Sequence, residues 1–296
     1  MFINGTEILD TYAEAFPTWL SRVIITADSL KWAKIAAAEA TGFASSTIGC
    51  PCEAGIEQIL SPDETPDGRE GIAILICTAK KTIRQETTAR IGQSILPVPT
   101  TSAFNGFPDA RDRFYTRMHY FGDGHEEKVE HAGRNCWNIP VMEGTYVGEE
   151  RFGTVKGIAG GNIVIMAPTQ KAALLGAEAA AAAVERAPGV TSSFPGGIIR
   201  SGSKVGCKYY RFPMPASTND QLCPTLRTTT SDSAIPEGVT CTYEIVINGI
   251  TEVSVIKAMK DSIIAACDVD GVTHIGASNF SGKLGPYQYR LQDLFK

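Results

Sequence analysis

The sequence predicts an α+β protein built of two similar ferredoxin-like α/β sandwich lobes from an internal duplication, with a β-meander between them. Three observations predict this. A chain of 296 residues with 43% hydrophobic and 20% charged content is long and apolar enough for two lobes, each with its own core. One order of elements occurs twice: helix, loop, P-x-G turn, strand, helix, strand, and a closing S-x(1–2)-F-x-G. TPDG at 65–68 and IPEG at 235–238 set the offset at about 170 residues, which is the scale of a duplicated domain rather than of a solenoid repeat. Between the two copies lies a stretch of alternating residues punctuated by turn signals.

In the first copy, DSLKWAKIAAAEATG (28–42) has helical composition, an Asp start and a Gly stop. TPDG opens the apolar strand GIAILIC (71–77), and a polar-faced helix over roughly 79–92 leads to a short strand and SAFNG (102–106). RFYTRMHYFGDGHEEKVEHAGRNCWNIPVMEG (113–144) reads as the meander, with FGDG and AGRN as its two turns. In the second copy, TQKAALLGAEAAAAAVER (169–186) is a helix ended by Pro188-Gly189, followed by the glycine-rich loop FPGGIIRSGSKVG (194–206). IPEG opens the strand TCTYEIVI (240–247), a helix covers about 250–266, and a strand leads to SNFSG (278–282). TLRTTTSDSAIP (225–236) is a Ser/Thr-rich surface loop. The lobe boundary is expected near 145, dividing the chain into 1–145 with the meander and 146–296.

Composition and motifs exclude several classes of function. The net charge is −5, and no Lys/Arg stripe with interleaved aromatics occurs, which argues against nucleic acid. The start MFINGTEILDTYAEAF has no basic cluster followed by an apolar core, so no secretory signal is expected. The small-residue run 172–187 is broken by Glu178, Glu185 and Arg186 and does not span a membrane. A cytoplasmic protein with reduced thiols at its eight cysteines is expected. Cys50-Pro-Cys52 lacks a second pair, and His119, His125 and His131 fall on three different stretches of the meander, so no metal site is expected. Gly197-x4-Gly202-Ser203-Lys204 departs from a phosphate loop because its serine precedes the lysine. No G-x-G-x-x-G opens a helix, and neither G-x-S-x-G nor H-E-x-x-H occurs.

What remains is carboxylates, amide donors and cations. The alternation of TYEIVIN puts Tyr243, Ile245 and Ile247 on one face and Thr242, Glu244, Val246 and Asn248 on the other. The pattern leaves open whether Glu244 faces solvent or a site; burial among aliphatic neighbours would raise its pKa toward neutrality and equip it to exchange protons with an amine. The loop 194–206, with Gly197, Arg200, Ser201, Ser203 and Lys204, offers donors and cations without an acid. SNFSGKLG (278–285) adds Lys283. Such loops can hold a carboxylate tail or a developing oxyanion, or be ordinary turns. The alanines of helix 169–186 present a smooth surface suited to close approach by a neighbour, and a contact between subunits is the expectation drawn from it.

The chain resembles the formylmethanofuran:tetrahydromethanopterin formyltransferase family from end to end. The stretches that carry the resemblance are DTYAEAF (10–16), EATGF (39–43), CEAGIE (52–57), ETPDGR (64–69), GIAGGN (157–162), FPGGI (194–198), SGSKVG (201–206), ASTND (216–220), YEIVING (243–249) and SNFSGKLG (278–285). The family tends to have a glycine pair in the last of these, and CPCEAG here carries an extra cysteine. The resemblance implies transfer of a formyl group between the amine of methanofuran, or methylofuran in bacteria, and N5 of tetrahydromethanopterin. It implies no permanently bound cofactor or metal, a homotetrameric assembly, and Glu244 as the catalytic acid–base. Gly197, Arg200, Ser201, Ser203, Lys204, Asn219 and Lys283 would then contact the carriers, whose acidic tails the cations would receive. GCPCEAGIEQILSPDETPDGREG, IIRSGSKVGCKYY and STNDQLCPTL look closer to methylotroph forms, in which the protein is a subunit of a formyltransferase/hydrolase complex. The rival expectation is a non-catalytic scaffold or anion-sensing subunit, which would not need Glu244.

Overall fold

The computed structural model describes residues 1–296, which form two compact units: Met1–Pro17 with Ile158–Lys296, and Thr18–Gly157. The chain opens with the hairpin β1 (Phe2–Ile3) and β2 (Thr6–Ile8), turned by Asn4 and Gly5 at positive φ, and enters the long strand β3 (Tyr12–Thr26). From Thr18 onward β3 belongs to the unit 18–157. That unit continues with α1 (Leu30–Thr41), β4 (Glu53–Leu60), β5 (Gly71–Thr78), α2 (Ile83–Arg90), one π-helical turn over Ile91–Ile95, and β6 (Ser102–Asn105). The strands lie in the order β4-β5-β3-β6, each antiparallel to its neighbour. This is the βαββαβ arrangement of a ferredoxin-like lobe. Its core joins the alanine face of α1 (Ala33, Ala36, Ala37, Ala40) to Val23, Ile25, Ile72, Ile74 and Ile76.

The meander lies later in the chain than the sequence suggests. It comprises β8 (Glu127–His131), β9 (Arg134–Val141) and β10 (Gly144–Glu149), and extends the sheet by a parallel pairing of β10 with β6 at Gly148 and Ala103. The segment expected as its first strand is instead β7 (Asp112–Tyr115), paired with Arg151–Thr154. AGRN is a hairpin turn, with Ala132 and Gly133 both at positive φ (50° and 72°), as a two-residue primed turn requires. FGDG is not: it ends a 3₁₀ turn over Met118–Gly122, and Asp123 and Gly124 at positive φ then redirect the chain. The meander histidines are separate, His119 stacking on Trp137 and His131 on Phe104.

The strand β11 (Arg151–Ala167) carries the chain into the other unit at Ile158, followed by α3 (Gln170–Glu185), β12 (Val190–Thr191), β13 (Cys241–Gly249), α4 (Glu252–Cys267) and β14 (His274–Gly276). The order β12-β13-β11-β14, again all antiparallel, repeats the ferredoxin-like topology. β2 and β1 extend this sheet beyond β14, and β15 (Tyr287–Arg290) pairs with Tyr12–Ala15. Both helices begin at threonine caps, Thr169 accepting from the Ala172 N–H and Thr251 from the Ser254 N–H. The division expected at 145/146 falls inside β10, whereas the compact units part at 17/18 and 157/158, within continuous strands.

The small residues of α3 serve this unit's own packing. Ala173, Ala177, Ala180 and Ala181 are buried, the Ser262 hydroxyl of α4 donates to the Ala180 carbonyl at 3.1 Å, and a Cβ at Gly176 would stand 2.6 Å from Val272. The subunit contact expected from the alanine surface is therefore not where those alanines are used; they let α3 approach α4 and the sheet closely.

The two lobes differ most between their second and third strands. That connection runs over 61–70 in one lobe and over 192–240 in the other. Leu222, Ile235 and Val239 of the long connection pack on Val164 and Met166 of β11, covering a sheet face that the helices leave open.

Candidate active site

Glu244 stands on β13 beneath that cover. Ile245 and Ile247 point into the core with α3 and α4, so the two-residue period of the strand sends Glu244 to the other face. There the Ile199 N–H donates to the Glu244 carbonyl at 2.8 Å, and the Glu244 N–H donates to the Ile199 carbonyl at 3.0 Å. This bridge fixes the start of the glycine-rich loop to the strand. Glu244 is 3% exposed. Its Oε2 accepts from the Ser203 hydroxyl at 3.1 Å, and its Oε1 has no partner. Burial pushes its pKa up to about 7, against the lowering effect of the hydrogen bonds from Ser203. A carboxyl whose pKa burial raises toward neutrality is suited to passing protons in either direction.

Glu244 opens on a cavity of about 530 Å³ whose wall includes Arg200, Ser201, Asn219, Thr225 and Tyr243. Such a volume suits a small-molecule ring system. The loop that bounds it is built from two pieces. Gly202 has φ of +72°, and a Cβ there would come within 2.5 Å of Asn219 Cβ. The Asn219 N–H donates to the Ser201 carbonyl at 3.4 Å. Lys204 Nζ donates to one oxygen of Asp220 at 2.5 Å and Lys208 to the other at 3.1 Å, holding the Asp220 pKa down at about 2.

The structure thus brings Glu244, Arg200, Ser201 and Asn219 together at one cavity, with Ser203 joined to it through its hydrogen bond to Glu244. The positive charge read from 194–206 is partly spent inside the protein, because Asp220 neutralises Lys204 across the fold. Arg200 is exposed and has no ionic partner. Gly197 sits apart from the cavity wall: its φ is +72°, and a Cβ there would meet Ser192 Oγ at 2.7 Å and Ala181 of α3 at 3.2 Å. Lys283 is exposed and also outside the wall.

Its loop has an occupant already. The backbone N–H groups of Phe280, Gly282, Leu284 and Gly285 all donate to the carboxylate of Glu14. Glu14 is 1% exposed; burial resists its ionisation, but the four donors outweigh that and hold its pKa below the ordinary range. The loop 278–285 does bind a carboxylate, and it is the protein's own. Sequence reasoning missed the roles of Glu14 and Asp220, although both lie in stretches that carry the resemblance, DTYAEAF and ASTND. No group of three or more His, Cys, Asp or Glu side chains is placed to hold a metal ion.

Residues 1–141 match the family model described as formylmethanofuran-tetrahydromethanopterin formyltransferase, and residues 144–294 match that described as FTR, proximal lobe. The chain belongs to the formylmethanofuran–tetrahydromethanopterin formyltransferase family. It is 51% identical to the enzyme of that name from Methanocaldococcus jannaschii and 49% identical to that from Methanosarcina acetivorans, over 100% of each chain. Among solved structures, the formyltransferase from Methanosarcina barkeri matches at 48% identity over 100% of both chains, with a TM-score of 0.95. The formyltransferase/hydrolase complex from Methylorubrum extorquens, in complex with methylofuran, matches at 39% identity with a TM-score of 0.93, over 100% of this chain and 99% of that one. Of these two solved structures, the chain shares the higher sequence identity with that from Methanosarcina barkeri.

Proposed function

We propose that the protein is an N-formyltransferase that moves a formyl group between the amine of methanofuran or methylofuran and N5 of tetrahydromethanopterin, with Glu244 as its proton carrier. The observation that carries this reading is a buried carboxyl raised toward neutrality, with one unpartnered oxygen, on a residue that lines a cavity. The acceptor amine attacks the formamide carbon and the C=O becomes a tetrahedral oxyanion. The C–N bond to the leaving amine then breaks as protonated Glu244 gives that nitrogen its proton, and the carboxylate recovers a proton from the attacking nitrogen. Bonds and protons balance, and donor and acceptor are both amines, so the same groups serve both directions. Arg200 and the amide and hydroxyl donors of Ser201 and Asn219 are suited to the oxyanion and to polar ring edges.

The carriers' acidic tails would be received by Arg200 and by Lys204, whose charge is shared with Asp220, and by Lys283, which forms no ion pair. Gly197 would act indirectly by seating the loop on α3. No permanently bound cofactor is required by this chemistry; the two carriers are cosubstrates. We further propose a cytoplasmic homo-oligomer, with a tetramer expected from the family, able to join formyltransferase/hydrolase subunits, and with 1–145 and 146–296 as the duplicated halves. No helix is long and apolar enough to cross a membrane. The test is formyl transfer by the purified chain with both carriers supplied. Product formation that requires both carriers supports the enzyme, and no transfer by folded protein favours the scaffold reading.

A further inference from the structure

Glu244 has two chemically equivalent oxygens, and the fold treats them differently. Oε2 accepts from Ser203 Oγ at 3.1 Å, while Oε1 is buried, unpartnered, and belongs to a side chain that lines the cavity. Resting on the function proposed above, we propose that Ser203 is the positioning residue of Glu244: its hydroxyl occupies Oε2 and thereby assigns the exchangeable proton to Oε1. A hydroxyl that donates to one oxygen leaves the other as the place where a proton can be held and handed on. Rotation of the carboxyl about its last torsion is soft, so without such a partner the two oxygens could exchange places.

The seat of Ser203 is built for this task rather than left to a mobile serine. On its N-terminal side, Gly202 packs against Asn219 in a backbone conformation that favours glycine. On its C-terminal side, Lys204 is tied to Asp220 at 2.5 Å, and the Lys204 carbonyl accepts from the Ser217 N–H at 3.2 Å. Upstream, the Ile199–Glu244 bridge anchors the loop to the strand that bears the carboxyl itself. Ser203 is therefore held among four attachments, three of them to segment 217–220. The other titratable or charged groups around Glu244 are Arg200 on the same loop, Cys223 on the opposite loop, and Cys241 and Tyr243 on β13. None of these is a hydrogen-bond partner of its carboxyl; on β11, Val164 stands opposite.

The test compares Ser203→Ala and Ser203→Thr with the wild-type chain, with circular dichroism establishing that each is folded. Removing a donor to the ionised form raises the pKa of a carboxyl. In the alanine variant, the alkaline limb of the kcat profile should move up by about one pH unit, tenfold in the protonation equilibrium. Its kcat should fall several-fold with KM nearly unchanged, and threonine, which keeps the hydroxyl, should restore both. The second readout needs no turnover: the infrared carbonyl band of protonated Glu244, identified by its absence in Glu244→Gln, should titrate at higher pH in the alanine variant. An unchanged band and profile in Ser203→Ala, or a loss confined to KM, would overturn the proposal and return Ser203 to substrate binding. A shifted band in protein that transfers no formyl group would leave the Ser203–Glu244 coupling standing and refute the function on which it was built.

Discussion

Replacing Glu14 by glutamine puts a neutral amide into a cradle of four N–H donors. The carboxylate meets all four, two on each oxygen, from residues 280, 282, 284 and 285. Glutamine keeps the shape but has one acceptor oxygen; its NH2 group would face the other two donors. A buried donor left without a partner costs about 1–3 kcal/mol. Two such donors give about 2–6 kcal/mol, and because the loop itself is partly exposed, water can recover some of this, so about 2–3 kcal/mol is expected. That is a large share of the usual 5–15 kcal/mol of a folded protein. Urea unfolding followed by circular dichroism should show a lower midpoint at neutral pH, with faster proteolysis within 278–285. Acid should narrow the difference. The Glu14 pKa is depressed in the folded state, so its contribution is complete above the unfolded-state value of about 4.3 and is lost as pH falls through the folded value below it. Equal midpoints at neutral pH, or a gap that widens on acidification, would refute the assignment of the loop to Glu14.

Two further predictions follow from the cavity and the assembly. Arg200→Ala with Lys204→Ala should raise KM for a carrier with an acidic tail about tenfold or more, the scale of one charge-assisted hydrogen bond, and should affect a tail-truncated carrier much less; equal losses on both would move the loop from tail binding to folding or chemistry. Light scattering of the purified chain should give about twice or four times 31.7 kDa, and a fully active monomer would refute the oligomer.

Local chemistry made much of the fold legible. Helices at 30–41, 170–185 and 252–267 were readable from caps, stops and small-residue composition, and the two-lobe repeat from the recurrence of such local signals. The alternation around Glu244 separated it correctly from Ile245 and Ile247, because a strand's period is short enough to read directly. FGDG misled because the same residues can close a 3₁₀ turn or a hairpin, and only the partner chosen by β7 decides between them. The unit boundaries were invisible because continuous strands, β3 and β11, cross them without any composition shift. At the site, the acid that compensates Lys204 lies in another segment, and the acceptor for the 278–285 amides lies near the opposite end of the chain. Such pairings need the fold before they can be seen. For that reason the sequence left open whether 278–285 holds a carboxylate or is an ordinary turn, whereas the placement of Glu244 was recoverable because its neighbours in the strand already announced two different faces.

The most direct test of the account is the pH dependence of single-turnover formyl transfer by the wild-type chain and Glu244→Gln, with both carriers saturating. If Glu244 carries the proton, the wild-type rate should fall as pH rises past about 7. The glutamine variant should bind its carriers, lose ~10²–10⁴ in rate, and show no such limb. A variant that keeps its rate within a factor of about three, or that retains the wild-type pH profile, would contradict the claim that this buried carboxyl performs the proton transfer.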